Sequence, residues 1–356
     1  MSSPDSTPAH ARRAELVLQA TMTQPMAAFY TADAIDPELE IDERSAIDQF
    51  VATIEALNVV LARHSPDTSN EPTLPSESRA HSDDALESLF AIESSEEAAH
   101  VSRPVAQPDA LADEAAAMSA DSEDEVTLQL NNLVFLGYMS AVESYLRCLT
   151  RQLIWADEFT AESMQDVKIT FGAARHATRD LLPEVLMEDM TFITFDSVKD
   201  LLVKMIGVGL GSIQDLIKEY DRICQLRHCI VHRFGRLGSK NAAKLGLVTH
   251  GGLIERKIKI RTPQLEALSF NLLNFVKEIN NHVYAGVMKR SAAQNLVWQW
   301  DEQADLEVFE NLYKVFRKTI EPGASDEPFR AYAVFKAQCE MGSATQIERA
   351  RNANRR

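Results

Sequence analysis

The chain has 356 residues, of which 45% are hydrophobic, and a formal net charge of −17. This length and composition exclude a wholly disordered protein and suffice for two or three domains with at least one sizeable core. The N-terminus lacks the basic and then apolar pattern of a secretory signal. The sequence also has no run of eighteen apolar residues that would indicate a membrane span. We therefore expect a soluble, cytoplasmic protein without a membrane partner.

The four cysteines are Cys148, Cys224, Cys229 and Cys339. They lie in apolar helical patterns and form no CxxC pair, so neither a disulfide framework nor a zinc ribbon is expected. This distribution favours a reducing compartment, and nothing in it predicts a metal or another cofactor.

Charge is unevenly distributed along the chain. Residues 1–125 carry 6 Lys+Arg against 26 Asp+Glu, residues 126–290 carry 21 against 17, and residues 291–356 carry 9 against 10. The acidity is thus a property of the N-terminal third. A polyanionic ligand for the middle third is not excluded.

The N-terminal third divides into two parts. Residues 1–64 predict a helical segment, because apolar residues recur at helical spacing over 12–30 and 43–64. Residues 65–125 are rich in Ser, Pro, Asp, Glu and Ala, and cannot bury enough apolar surface to offset their ordering entropy. We predict a disordered acidic linker there, and one hypothesis is that it competes with a polyanion for the rest of the protein.

A strong helix is predicted over 131–155. Its inward stripe begins at Phe135 and ends at Leu153, and Glu143 lies beside that stripe. Another helix is expected over 195–206. It ends in the glycine-rich run 207–211, which we interpret as a turn between helices, because a phosphate-binding loop would need a preceding strand.

The next amphipathic pattern, from Ile213 to Val231, contains the most unusual residues of the chain. Arg227 lies on its apolar face, where a guanidinium needs a carboxylate or an anionic ligand. His228 and His232 are four residues apart and are expected to stack on one side of the helix. Arg233 and Arg236 follow.

After this helix, the runs 245–249 and 253–260 flank a His-Gly-Gly sequence, and the second run alternates, which predicts a small β-hairpin. Thr262-Pro263 then opens a long helix. Residues 291–342 are expected to form a C-terminal helical extension and 343–356 a polar tail.

The sequence from Arg227 to His232, RHCIVH, resembles the R-x4-6-H signature of the HEPN superfamily. The resemblance covers about residues 128–288 and implies a mainly α-helical bundle, an HEPN-like domain over 126–290, with the hairpin as an insertion after the motif helix. It also implies an acidic residue of the first long helix close to the motif, for which Glu143 is the candidate.

HEPN domains are commonly metal-independent endoribonucleases of toxin–antitoxin, abortive-infection and RNA-guided defence systems. The resemblance therefore implies RNA as substrate and an antitoxin or defence protein as a further partner. Because the chain has one motif copy and family members usually pair two, it implies a homodimer with a composite site.

Cleavage of RNA without metal requires a base, an acid and positive charge on the phosphate, which His and Arg supply near neutral pH. On this interpretation His232 is the general acid or base, Arg227 stabilises the phosphate and His228 assists. Arg233 and Arg236 are candidate RNA contacts, and Glu143 and Asp221 are candidate supporting partners of Arg227.

Three alternatives remain open from the sequence. Arg227 could simply pair with Glu143 or Asp221 while the histidines cap the helix. Cys224, His228 and His232 could form a metal site, although no further ligand is fixed. A non-catalytic HEPN module could bind RNA or nucleotide, or act as a regulatory interaction protein.

Overall fold

The computed structural model describes residues 31–35, 42, 44–64, 110–294, 298–318 and 328–353. The chain separates into two compact units, residues 1–43 and 44–356. In the first unit the described structure is a short 3-10 helix, Thr31–Ala34. The predicted helix over 12–30 and residues 65–109 of the predicted linker lie outside the described residues.

The second unit is mainly helical in its described part. Twelve α-helices occur there, interspersed with short 3-10 turns and one π-helical turn, Leu201–Met205. The helices are α1 (Ala46–His64), α2 (Ala110–Ala156), α3 (Glu158–Ser163), α4 (Phe171–His176), α5 (Leu182–Met187), α6 (Phe195–Asp200), α7 (Gln214–His232), α8 (Ser239–Leu245), α9 (Leu247–His250), α10 (Thr262–Gln294), α11 (Glu302–Phe316) and α12 (Pro328–Ala353).

The main hydrophobic core forms where α1, α2 and α10 pack together, with α11 against α2 and α12 against α11. The inward stripe predicted for α2 is confirmed, since its apolar residues from Phe135 to Leu153 are buried. The aromatic ring of Tyr220 on α7 stacks on Phe275 of α10, with ring centroids 4.9 Å apart. The motif helix is thereby anchored to the core of the bundle.

The mainly α-helical class is confirmed, but the predicted hairpin is wrong. No β-strand occurs in the described residues, and residues 245–253, apart from Gly246, belong to α8, α9 and a 3-10 turn. An isolated antiparallel bridge joins Arg236 to Lys257. The alternating run 254–260 does not form a strand: residues 254 and 255 lie in a turn, and Lys257 bridges to the segment after α7. The run 245–249 is helical because a short apolar run does not distinguish helix from strand.

Two helices extend beyond their predicted bounds. α2 begins at Ala110, inside the segment 65–125 that was predicted as a linker, and α12 continues to Ala353, inside the predicted polar tail. The glycine-rich run 207–211 does lie between helical elements, as predicted. Within the described ranges, no helix combines the length and apolar character needed to cross a membrane.

Candidate functional site

The motif helix α7 contributes to two separate cores. Ile217, Tyr220 and Cys224 are buried in the main core. Cys229, one turn from the helix end, is buried in a second, smaller cluster with Leu237 and the α8 residues Ala242 and Leu245. The chain that follows α7 therefore folds back over the end of the helix and holds it from the other side.

Arg227 pairs with Glu143 of α2. Its guanidinium Nη2 lies 3.5 Å from Oε2 of Glu143, and the two side chains are 25% and 15% exposed. Of the two supporting partners proposed from the sequence, Glu143 is therefore the one that contacts Arg227. An arginine on this otherwise apolar face is stabilised by the carboxylate, as its partial burial requires.

The Glu143 carboxylate has further partners. Arg147 lies one helical turn further along α2, with Nη2 3.7 Å from Oε1 of Glu143. The backbone N–H of Phe192 donates to the same oxygen at 3.4 Å. Arg147 also donates to the carbonyl oxygens of Met187, at 2.6 Å, and Met190. Glu143 thus links α2, α7 and the loop after α5.

Asp221 does not take part in this network. Its side chain accepts a hydrogen bond from Nε2 of Gln225 at 3.3 Å, and Oε1 of Gln225 accepts one from Asn241 of α8 at 3.2 Å. Gln225 and Asn241 are both buried. Asp221 therefore helps to dock α8 on α7, which is a structural contact rather than support for Arg227.

The two histidines lie together at the exposed end of α7. The ring centroids of His228 and His232 are 4.9 Å apart, with the rings tilted by 52°. Both residues are exposed to solvent. The pKa of His228 is lowered from its ordinary value of 6.5, mainly by partial desolvation of the ring and further by the charges of His232, Lys244 and Arg233. Neutral His228 at pH 7 is able to accept a proton.

α7 ends in an unusual turn. Phe234 and Gly235 both have positive φ, of 53° and 72°, and the N–H groups of Arg233 and Gly235 donate to the carbonyl of Cys229 at 2.9 and 3.1 Å. Glycine adopts this conformation freely, whereas a bulky residue is strained there by about 1–2 kcal/mol. Phe234 gains no packing in return, because it is 96% exposed.

The two predicted RNA-contacting arginines have intramolecular partners. Arg233 forms an ion pair with the Glu255 carboxylate, and Nη1 of Arg236 donates to the Glu255 backbone carbonyl at 3.0 Å. Backbone hydrogen bonds of 2.7–3.0 Å join residues 235 and 237 to residues 255, 256 and 258. These contacts fix the turn that carries Phe234.

A larger basic surface was missed by the sequence analysis. Residues 233–261, here called the basic segment, contain eight Lys and Arg residues and one acidic residue, Glu255. All eight cationic residues are exposed. Three of them have partners: Arg233 and Arg236 bind Glu255, and Lys257 pairs with Glu125 of α2. The other five have no acidic side chain within ion-pair distance in the described part of the chain. Counting charge over about thirty residues at a time, instead of over 126–290 as a whole, would have found this segment.

The proposed three-residue metal site is not assembled. Cys224 is buried in the main core, and burial raises the pKa of its thiol to about 12, so it stays protonated. His228 and His232 point away from that core into solvent-exposed positions. Across the ranges that the structure describes, no group of three or more His, Cys, Asp or Glu residues could hold a metal ion.

Comparisons with protein-family models, with curated proteins and with solved structures find no match to this chain.

Proposed function

We propose that the protein is a metal-independent endoribonuclease that cleaves RNA by attack of a 2′-hydroxyl on the adjacent phosphate. The observation that carries this proposal is the pair of exposed imidazoles of His228 and His232 at the end of α7, with ring centroids 4.9 Å apart. The partly exposed guanidinium of Arg227 lies on the same helix. These groups supply a proton acceptor, a proton donor and a fixed positive charge.

In the reaction, a neutral imidazole removes the proton from O2′, and O2′ forms a bond to phosphorus as the bond from phosphorus to O5′ breaks. A protonated imidazole donates its proton to O5′. The products are a 2′,3′-cyclic phosphate and a 5′-hydroxyl, and no metal is needed, because the guanidinium offsets the charge that develops on the phosphate.

His232 is assigned as a general acid or base and His228 as its partner or as an RNA contact. The lowered pKa of His228 suits it to accept a proton at neutral pH. Arg227 stabilises the phosphate, and Glu143 orients its guanidinium. The HEPN resemblance adds a homodimer in which two motif helices line one cleft, and a cytoplasmic toxin or anti-phage defence role with an antitoxin or another defence protein as partner.

A non-catalytic RNA-binding module is the second candidate, and two observations favour it. Glu143 already neutralises Arg227, so Arg227 is satisfied without a phosphate, while the exposed basic segment suits polyanion binding whether or not cleavage follows.

Cleavage of RNA and of its 2′-O-methyl analogue, with EDTA present, separates the two candidates. We expect the unmodified oligonucleotide to be cut and to leave 2′,3′-cyclic phosphate ends, and the methylated one to stay intact, because its O2′ carries no proton and is not available for attack. Tight binding of both oligonucleotides with cleavage of neither would support the binding module and contradict the enzyme. Cleavage of both would contradict the 2′-hydroxyl mechanism.

A further inference from the structure

Phe234 is the most exposed aromatic side chain among the described residues. It follows His232 by two positions and stands between Arg233 and Arg236 in the turn that begins the basic segment. An aromatic ring exposed to water contributes no packing energy to the isolated chain. The backbone of Phe234 also has a positive φ, which disfavours large side chains. An exposed ring on a strained backbone is a feature that points to contact with a ligand.

The surroundings of the ring indicate the chemistry of that ligand. Eight exposed cationic residues against one acidic residue over 233–261 suit a polyanion, and the segment folds back on α7 so that Lys244 acts electrostatically on His228. A flat aromatic ring among cations is the combination that binds single-stranded nucleic acids, in which unpaired bases stack on rings while the backbone follows positive charge.

The turn also fixes the backbone that carries the ring, two residues beyond His232. The carbonyl of Cys229 accepts two N–H groups of the turn, and Ile258 donates from the facing segment to the carbonyl of Gly235 at 2.7 Å. Arg233 and Arg236 bind the side chain and backbone of Glu255 on either side of the ring. Because the backbone at Phe234 is already ordered, little backbone conformational entropy is lost when a base binds to the ring.

We propose that Phe234 is a stacking platform for one unpaired base of single-stranded RNA next to the imidazole pair, and that the basic segment binds the flanking phosphates. This inference rests on the proposed function in that RNA is taken as the ligand, but it concerns binding and not the cleavage step. It predicts a preference for unpaired over double-stranded RNA, because a paired base is not free to stack on the ring.

The test measures RNA affinity in the full chain carrying His232→Ala, so that cleavage does not interfere. We expect Phe234→Asn to weaken binding of an unstructured RNA oligonucleotide by about tenfold, in line with the loss of one stacked base. Phe234→Tyr should retain the affinity. Phe171→Asn is the matched control, because Phe171 is 83% exposed, lies outside the basic segment and should leave affinity unchanged.

A fluorescent variant gives a second, direct readout. Tryptophan at position 234, made as Phe234→Trp, should be quenched when the oligonucleotide binds, because the base stacks on the indole. Tryptophan at position 171, made as Phe171→Trp, should show no quenching beyond that of the parent protein, which has three tryptophans of its own.

Four results would overturn the inference. The first is equal RNA affinity of Phe234→Asn and its parent, and the second is an equal loss of RNA affinity in Phe234→Asn and Phe171→Asn. The third is that Phe234→Asn loses binding to anionic phospholipid vesicles but not to RNA. The fourth is that Phe234→Asn converts a dimer to a monomer in sedimentation. The last two would assign the ring to a membrane surface or to a second copy of the chain. The cleavage mechanism is tested separately. Continued cleavage by His232→Ala would contradict that mechanism while leaving the stacking result intact.

Discussion

At the scale of single residues, Glu143 has the largest set of partners around the candidate site. Its carboxylate faces the guanidinium groups of Arg227 and Arg147 and accepts the N–H of Phe192. The contact distances of 3.4–3.7 Å are long for charge-assisted hydrogen bonds, so the interaction is mainly between charges. Removing the charge would leave two partly buried cations uncompensated, which costs more than losing an exposed ion pair.

We therefore predict that Glu143→Gln lowers the free energy of unfolding by about 1–2 kcal/mol, because the amide keeps the shape but not the charge. Urea denaturation would measure it. Glu184→Gln is the matched control: Glu184 pairs with Arg151 at 2.9 Å but is more exposed, so its loss should cost about 0–1 kcal/mol. Equal, small effects of the two substitutions would contradict the role assigned to Glu143.

His228 provides a prediction about pH. Its pKa in the folded protein lies below the ordinary value of 6.5, so the unfolded chain binds more protons. The contribution of this residue to stability is therefore complete above about pH 6.5 and declines as pH falls through 6.5 towards the folded pKa.

Because Lys244 is one of the positive charges that lower the pKa of His228, Lys244→Gln should raise it. An NMR titration of the imidazole C–H resonances would show the shift. Lys199→Gln, on α6, should leave the His228 titration unchanged. An unaltered or lower His228 pKa in Lys244→Gln would mean that Lys244 does not act on the imidazole.

At the scale of elements, the sequence predicted the motif helix well and the segment after it poorly. The helical spacing of apolar residues from Ile213 and the glycines after His232 located α7, since burial on one face dictates that spacing. The pairing of residues 235–237 with 255–258 could not be read from the chain, because an alternating pattern shows that a segment is extended without identifying its partner. The contact of Arg227 with Glu143, 84 residues apart in the chain, was predicted from the HEPN resemblance and not from the spacing of residues.

The turn at the end of α7 predicts a specific effect on stability. Gly235 has a φ of 72° and no neighbouring atom within 4 Å of where a Cβ would lie, so Gly235→Ala should destabilise the protein through backbone strain alone, by about 1–2 kcal/mol. Gly209→Ala is the control, because Gly209 has equally open space and no positive φ. Thermal or urea denaturation would compare them, and equal effects would show that the turn is not strained.

At the scale of the whole molecule, opposite charges are concentrated in different parts of the sequence. The N-terminal third is acidic, and the exposed segment that follows the motif helix is basic. Glu125, at the boundary of the acidic region, pairs with Lys257 at 2.6 Å, and this contact lowers the pKa of the Glu125 carboxyl. Each chain contributes one Arg227–His232 motif, so a site built from two motifs requires a second chain. The single-chain geometry supplies one imidazole pair and one guanidinium for that site.

We propose that the exposed histidines of α7 cleave RNA. The most direct test incubates the wild-type protein and His232→Ala with cellular RNA in the presence of EDTA, with circular dichroism to show that the variant is folded. We predict that the wild-type protein degrades the RNA and that the rate for His232→Ala is lower by at least about 100-fold, as expected for the loss of a general acid or base. Equal cleavage by the two proteins, or no cleavage by either, would contradict the claim.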